Sequence, residues 1–349
     1  MLIGIRFLQR MNNLLKEDVE EFSSAFPLKE NLEGAKFLIT GATGLIGSTL
    51  VRCLLGLKQN IIITCPVRNI GKANNLFGRE DNLGFVECDL VEYLNRLDGD
   101  FDYIIHCASP TAGTYMKEHP VETFELAIES TRSLLNFAVK SKVKSIVYVS
   151  SLEYYGQITT DRIITEKEQG FIDPLSSRSS YPLGKRAAEY LCSSYAQEYG
   201  VNVKIARLTQ TFGIGVSSND NRVFAQFARS VIQGADIVMH TTGESAKPYC
   251  YTTDCVSAML YILLKGENGE AYNVANPNTY ISIRDMANFL QSQFNPKIQV
   301  RIELHPEMGY APVTKLRLSA DKLMSLGWLP RYNLRDMFDK LIKSMSYEN

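Results

Sequence analysis

The stretch Lys36-Phe-Leu-Ile-Thr-Gly-Ala-Thr-Gly-Leu-Ile-Gly-Ser48 constrains this chain more than any other. Apolar and β-branched residues run into Gly41, Gly44 and Gly47, and an apolar-periodic segment from Leu50 to Leu57 follows. The pattern predicts a strand, a tight turn and the opening of a helix. Such a turn presents unpaired backbone N–H groups and the positive end of a helix dipole, which suits a pyrophosphate. Three glycines at this spacing take that meaning from the strand before them and the helix after them.

The same alternation continues. A second strand over 60–69 leads to Arg68 and Lys72, and a third, 84–88, ends at Asp89. A fourth, 101–106, ends in the small-residue turn Cys107-Ala108-Ser109-Pro110; helical periodicity over 120–139 and a fifth strand over 145–151 follow. Val- and Ile-rich strands alternating with amphipathic helices predict a Rossmann-type, doubly wound parallel α/β sheet covered on both faces. Ligands of such sheets sit beyond the carboxyl ends of the strands. The turn at 41–47, Arg68, Asp89, the turn at 106–109 and the segment 150–156 therefore converge on one crevice.

We expect three parts. Residues 1–33 form an N-terminal helical extension, with Leu14, Leu15, Val19, Phe22 and Phe26 at helical spacing. Residues 34–208 form the dinucleotide-binding half, with segments near 252–275 returning to it. Residues 209–251 and 276–349 form a smaller C-terminal α/β domain that closes over the crevice and binds substrate.

A net charge of −1 offers no general attraction for nucleic acid or an anionic membrane, so any anion needs a local site. The seven cysteines show no C-x-x-C pair and there is no histidine cluster, which predicts reduced thiols, no metal site and a cytoplasmic protein. The apolar start, Met1 to Leu8, is too short for a membrane span.

A polar loop over 159–180 feeds a helix that begins Tyr181-Pro-Leu-Gly-Lys185. Tyr181 and Lys185 lie four apart and share a helix face. Pro182 is tolerated in a first turn, which has no intrahelical N–H bond to lose.

Taken in order, these motifs resemble the extended short-chain dehydrogenase/reductase family, the nucleotide-sugar epimerases, dehydratases and uronate decarboxylases. The motifs are Gly41-x-x-Gly44-x-x-Gly47, Asp89-Leu90, His106-Cys-Ala108, Ser150-Ser151-x-x-x-Tyr155-Gly156 and Tyr181-x-x-x-Lys185. Arg207-x-x-x-x-Phe-Gly-Ile-Gly215 and Leu326-Gly-Trp328-x-Pro330 complete the set, over roughly 35–335.

The resemblance implies NAD or NADP as cofactor. It implies that Gly41, Thr43, Gly44, Leu45, Ile46 and Gly47 hold the pyrophosphate, that Asp89 and Leu90 border the adenine, and that Cys107, Ala108 and Ser109 line the cofactor. Tyr181 would be the acid/base, Lys185 would grip the nicotinamide ribose, and Ser151 would hydrogen-bond the reacting oxygen. Glu153 matches the glutamate that removes the C5 proton in the dehydratases, but the acid expected before it is replaced by Leu152. Leucine cannot donate a proton, so an ordinary 4,6-dehydration is not expected. Gln210 stands where the family has asparagine, and Lys247 where an arginine commonly binds the substrate diphosphate. Lysine keeps the charge but loses the bidentate fork.

The second strand ends in Cys65-Pro-Val-Arg68-Asn69 with no acid for the ribose hydroxyls, which leans toward NADP. The expected activity is hydride transfer on a nucleotide-activated sugar. Two alternatives remain: an NADPH-dependent reductase of a nucleotide-linked keto-sugar or polyol precursor, and a non-catalytic cofactor sensor. The resemblance also implies a homodimer built on the helices at 120–139 and 181–198.

Overall fold

The β-branched runs pair into one parallel sheet because both their faces are apolar. The computed structural model describes residues 13–110, 113–305 and 312–347; the apolar octet at the N-terminus and the start of the expected extension lie outside them. The order begins with α1 (Asn13–Ala25), β1 (Lys36–Thr40), α2 (Leu45–Gly56), β2 (Ile62–Val67), α3 (Ile70–Phe77) and β3 (Leu83–Glu87). It continues with α4 (Leu90–Asn95), β4 (Tyr103–His106), α5 (Gly113–Glu118), α6 (Pro120–Lys140), β5 (Ser145–Ser151) and β6 (Ile163–Ile164). Then come α7 (Ser180–Tyr199), β7 (Val203–Leu208), β8 (Gln210–Phe212), α8 (Val223–Gln233), β9 (Ile237–Met239), β10 (Ala246–Tyr251) and α9 (Thr252–Lys265). Last are β11 (Ala271–Val274), β12 (Asn276–Ser282), α10 (Ile283–Phe294), β13 (Val300–Ile302), β14 (Arg317–Leu318), α11 (Asp321–Met324) and α12 (Leu334–Tyr347).

The main sheet runs β11-β7-β5-β4-β1-β2-β3, with every neighbouring pair parallel. The chain leaves β1 toward β2 on one side and reaches β4 on the other, so the switch point, where such sheets bind ligands, lies between β1 and β4. The period of two is visible in β1. Phe37 and Ile39 join the core under α2 and α9, while Leu38 joins the core under α6 and α7.

A second core, with Phe212, Phe224, Tyr251, Met286 and Phe338 fully buried, gathers α8, α10 and α12 around β8 and β10. Strand β11, from late in the chain, returns to the main sheet beside β7. Helices α6 and α7 pack together and leave Val121, Val139 and Tyr190 exposed.

Helix α1 docks more deeply than a surface helix. A 13-residue helix is marginal in isolation, so its packing holds it. Val19, Phe22 and Phe26 are buried, each worth roughly 1.5–3 kcal/mol against exposure. A Cβ on Gly56 would lie 2.3 Å from Val19 Cγ1, so that contact requires a glycine in α2. Asp18 accepts from the Tyr251 hydroxyl at 2.5 Å and the Lys340 ammonium at 2.7 Å, while Glu21 accepts from Tyr332 at 2.5 Å. The helix thus touches both cores.

Candidate active site

The glycine turn is forced by close backbone approach. Gly41 has φ +69°, and a Cβ there would lie 2.8 Å from the Ala108 nitrogen. A Cβ on Gly47 would lie 2.2 Å from the Gly41 carbonyl oxygen. Gly44 is the N-cap of α2 and brings no side chain to cap it, so the first N–H groups of a 12-residue helix remain available to an anion. These residues fit a dinucleotide pyrophosphate, with Thr43, Leu45 and Ile46 on the same turn.

The flanking positions are placed as follows. Arg68 is exposed at the end of β2, and Asn69 beside it caps α3 by accepting from the Lys72 N–H at 2.7 Å. The Asp89 carboxylate is occupied as the N-cap of α4, accepting from Val91 and Glu92 N–H at 2.9 and 3.0 Å, with Leu90 opening that helix. Cys107 is half-buried on this turn, and desolvation raises its thiol pKa to about 12, which keeps it protonated.

Strand β5 delivers the next group. Ser151 ends it and accepts from the Glu153 N–H at 3.2 Å, which starts a short 3₁₀ turn over Leu152–Tyr155. Gly156 closes that turn at φ +65°, where Phe171 backbone would block a Cβ at 2.5 Å. Leu152 is buried in an apolar cluster with Tyr155, Ile164 and Leu318. Position 152 therefore supplies packing and no proton.

Helix α7 brings the pair expected from the sequence. Ser151 and Ser109 lie near the Tyr181 phenol, and Lys185 Nζ lies 5.5 Å from the Tyr181 ring centroid. Lys185 donates to the Val149 carbonyl at 2.8 Å and lies 4.9 Å from the Tyr148 ring centroid, which fixes its height in the site. Burial lowers its pKa to about 8. Burial raises that of Tyr181, the negative charge of Glu153 adds to the rise, and the two serines work against it.

Glu153 and Lys247 act on each other across the crevice. Burial raises the Glu153 carboxyl and lowers the Lys247 ammonium, and each charge offsets part of the shift of the other. By accessible surface Glu153 is exposed and Lys247 half-buried, so both stand in contact with water. Gln210 opens β8, opposite Tyr249 of β10, two residues from Lys247. The structure therefore brings Ser109, Ser151, Glu153, Tyr181, Lys185 and Lys247 together. Arg68 and Asp89 lie at the ends of β2 and β3.

Sequence reasoning missed the buried framework behind these groups. Arg207 donates to both Glu189 oxygens, from Nε at 3.1 and 3.0 Å and from its terminal nitrogen at 2.7 Å. Ser150 donates to the same carboxylate, and Tyr155 accepts from Arg207 at 3.1 Å. The loop over 159–180 hangs on this framework, with the Glu166 carbonyl on Arg207 at 2.8 Å and the Gly170 carbonyl on Arg186 at 2.8 Å. The available signal was Glu189, four residues beyond Lys185 on the same face, but a charged residue on a helix ordinarily reads as solvated.

No helix among the described residues is long and apolar enough to cross a membrane.

Comparison with known proteins agrees with this architecture. Among curated proteins, UDP-glucuronic acid decarboxylase 5 of Arabidopsis thaliana is 28% identical over 315 residues, covering 86% of each chain. Among solved structures, an epimerase from Methanothermobacter thermautotrophicus shares the fold at TM-score 0.78 and 20% identity, covering 93% of this chain and 97% of its own. The UDP-glucuronic acid 4-epimerase of Bacillus cereus, solved with UDP-glucuronic acid and NAD, shares it at TM-score 0.75 and 20% identity, covering 90% of this chain and all of its own. The model of the NAD dependent epimerase/dehydratase family matches residues 37–275, from β1 through the last strand of the main sheet, and the chain belongs to that family.

Proposed function

We propose that this chain decarboxylates a nucleotide-linked uronic acid by transient oxidation at C4, with UDP-glucuronic acid as the leading substrate and the cofactor regenerated in each cycle. The observation that carries this reading is the convergence of Tyr181, Ser151, Lys185, Glu153 and Lys247, with an apolar, buried Leu152 where the dehydratase acid would stand. A 4,6-elimination needs an acid to protonate the departing hydroxyl, and position 152 offers none. A ketone at C4 makes the C6 carboxylate a β-keto acid, whose loss of CO2 needs no such acid.

Bound nicotinamide supplies the hydride acceptor and donor. Tyr181 takes the C4 hydroxyl proton and returns it at the end, with Ser151 donating to the reacting oxygen and Lys185 favouring the phenolate by its charge. After CO2 leaves, C5 takes a proton, and Glu153, which lies close enough to Lys247 and Tyr181 for its charge to act on both, is the group we assign to deliver it. Lys247 supplies a cation for an anionic substrate. The relatives' name supports the uronic acid. A different observation favours the reductase alternative: an arginine, Arg68, ends β2 where an acid would bind NAD ribose hydroxyls.

Purified protein given UDP-glucuronic acid and no added cofactor should release CO2 and a UDP-pentose over many turnovers, followed by NMR. Stoichiometric consumption of NADPH with no turnover in its absence would overturn this in favour of the reductase. A C4-inverted uronate without CO2 would replace decarboxylation by epimerisation.

Cofactor affinity should depend on pH through Lys185. Its pKa is lowered to about 8, so the ammonium that grips the ribose is present below pH 8 and lost above it. Calorimetric titration should give a level affinity at pH 6.5–7.5, a decline above 8, and no decline in Lys185→Met. Run with both cofactors, the same titration should give the tighter binding to NADP, reversed by Arg68→Ala; tighter binding of NAD by the unaltered protein would discard the reading of Arg68.

A further inference from the structure

Two passages of the chain join the two cores side by side, and α1 lies across both. At the first, β10 gives way to α9, with Tyr251 in the second core and Cys255 and Val256 in the first. At the other, the chain runs from Trp328 of the first core to Tyr332 of the second. Asp254 ties the passages together. Its carbonyl accepts from the Trp328 indole at 3.2 Å, and its carboxylate accepts from the Arg331 and Tyr332 N–H groups at 3.0 and 3.1 Å. The ends of elements that run between two packed bodies are where hinges absorb backbone change.

One face of α1 grips the first core. Val19, Phe22 and Phe26 are buried there, the Phe26 ring meets Tyr261 of α9 edge-on at 5.9 Å, and Ser23 donates to the Gly56 carbonyl of α2 at 3.0 Å. The other face grips the second core. Asp18, 4% exposed at its side chain, accepts from the Tyr251 hydroxyl on one carboxylate oxygen and from Lys340 of α12 on the other. Glu21 accepts from the same ammonium at 3.1 Å and from Tyr332, and its carbonyl accepts from Arg331 at 3.1 Å. The cores cannot part at these passages without breaking charge-assisted hydrogen bonds or lifting apolar side chains off α2 and α9.

We propose that α1 is a strap across the hinge between the two cores and that Asp18 is its clasp, a positioning residue that holds β10, and with it Lys247, in the arrangement that binds substrate. The inference rests on Lys247 meeting an anionic substrate, as proposed above. Lys247 lies near the start of β10 and Tyr251 ends it, so the bond from Tyr251 to Asp18 anchors the strand that carries the cation. A helix that served stability alone would need no buried carboxylate shared between a strand end and α12.

The test reads motion and binding separately, on full-length protein. Hydrogen–deuterium exchange is followed without substrate, and initial rates are measured with UDP-glucuronic acid. Asp18→Ala should raise exchange at 246–251 and 328–333 by about tenfold or more, because hydrogen bonds to an ionised acceptor are the strong ones, while 36–40 and 145–151 keep their protection. KM should rise about tenfold, as when the competent arrangement falls to roughly a tenth of the population, with kcat and cofactor affinity within about twofold. Gly56→Ala loosens the strap from its other face, since the new Cβ would lie 2.3 Å from Val19 Cγ1. Adding Val19→Ala removes that atom and leaves the Val19 Cβ at 3.8 Å, so the pair should restore exchange and KM together, and it carries the test if Asp18→Ala does not fold. Faster exchange at 246–251 with KM unchanged overturns the positioning role. Exchange that rises equally at 36–40 overturns the strap, since α1 would then be holding the whole fold. So does a Gly56→Ala defect that Val19→Ala leaves in place. If the unaltered protein does not turn over UDP-glucuronic acid, the reaction assigned to the crevice fails, and the exchange measurement, which needs no substrate, supports or overturns the strap by itself.

Discussion

Tyr181→Phe is expected to lower product formation by about 10²–10⁴-fold, the usual contribution of a positioned acid/base, while leaving cofactor affinity within about twofold. The substitution keeps the aromatic ring beside Lys185, whose ammonium lies 5.5 Å from the ring centroid, and removes only the phenolic oxygen. The measurement pairs turnover of UDP-glucuronic acid with a cofactor titration on the same preparation. If a tenth of the activity survived, the proton would be moving through another group, and Glu153 would be the first to replace. If cofactor binding fell in parallel, Tyr181 would be a binding residue and the reaction assigned to this crevice would lose its base. If every biological effect survived the substitution, the non-catalytic sensor would be the better account.

The second large effect concerns stability. Arg207 and Glu189 are 4% and 5% exposed at their side chains, and burial pushes the Glu189 carboxyl up while the guanidinium and Ser150 pull it down. Removing one partner leaves an uncompensated buried charge, which costs about 3–5 kcal/mol. Glu189→Ala should therefore lower the thermal midpoint by roughly 4–7 °C, at about 1.4 °C per kcal/mol from an unfolding entropy of about 2.1 cal/mol/K per residue. The double substitution Glu189→Met and Arg207→Met should recover much of the loss, because the desolvation penalty disappears with both charges. Equal losses in the single and double variants would show that the pair matters through the shape it fills. Activity should fall with Glu189→Ala even at temperatures where the protein is folded, since the same carboxylate holds Ser150 at the end of β5, next to Ser151.

Much of the fold was legible because its signals are local. A β-branched run into three glycines, repeated strand–helix alternation and a proline in the first turn of a helix depend on near neighbours along the chain. They yielded the parallel sheet, the switch-point crevice and the pairing of Tyr181 with Lys185. The expected N-terminal helix was also legible from its spacing. Its depth was not, because Asp18 looks like one more acid on a polar face until Tyr251 and Lys340 close over it.

The candidate site divides in the same way. By itself the sequence determined that a strand, a glycine turn and a helix form at 36–57, that Leu152 can give no proton, and which side chains are candidates to carry chemistry. Only the tertiary structure decided that Leu152 is buried in an apolar cluster, that Glu153 lies near Lys247 from 94 residues away in the chain, and that Arg207 and Ser150 meet on the Glu189 carboxylate. The physical reason is that periodicity is written between adjacent turns of a helix or alternate residues of a strand. Which distant side chains meet depends on strand order, register and the layer each helix covers, and those are settled only when the whole core packs.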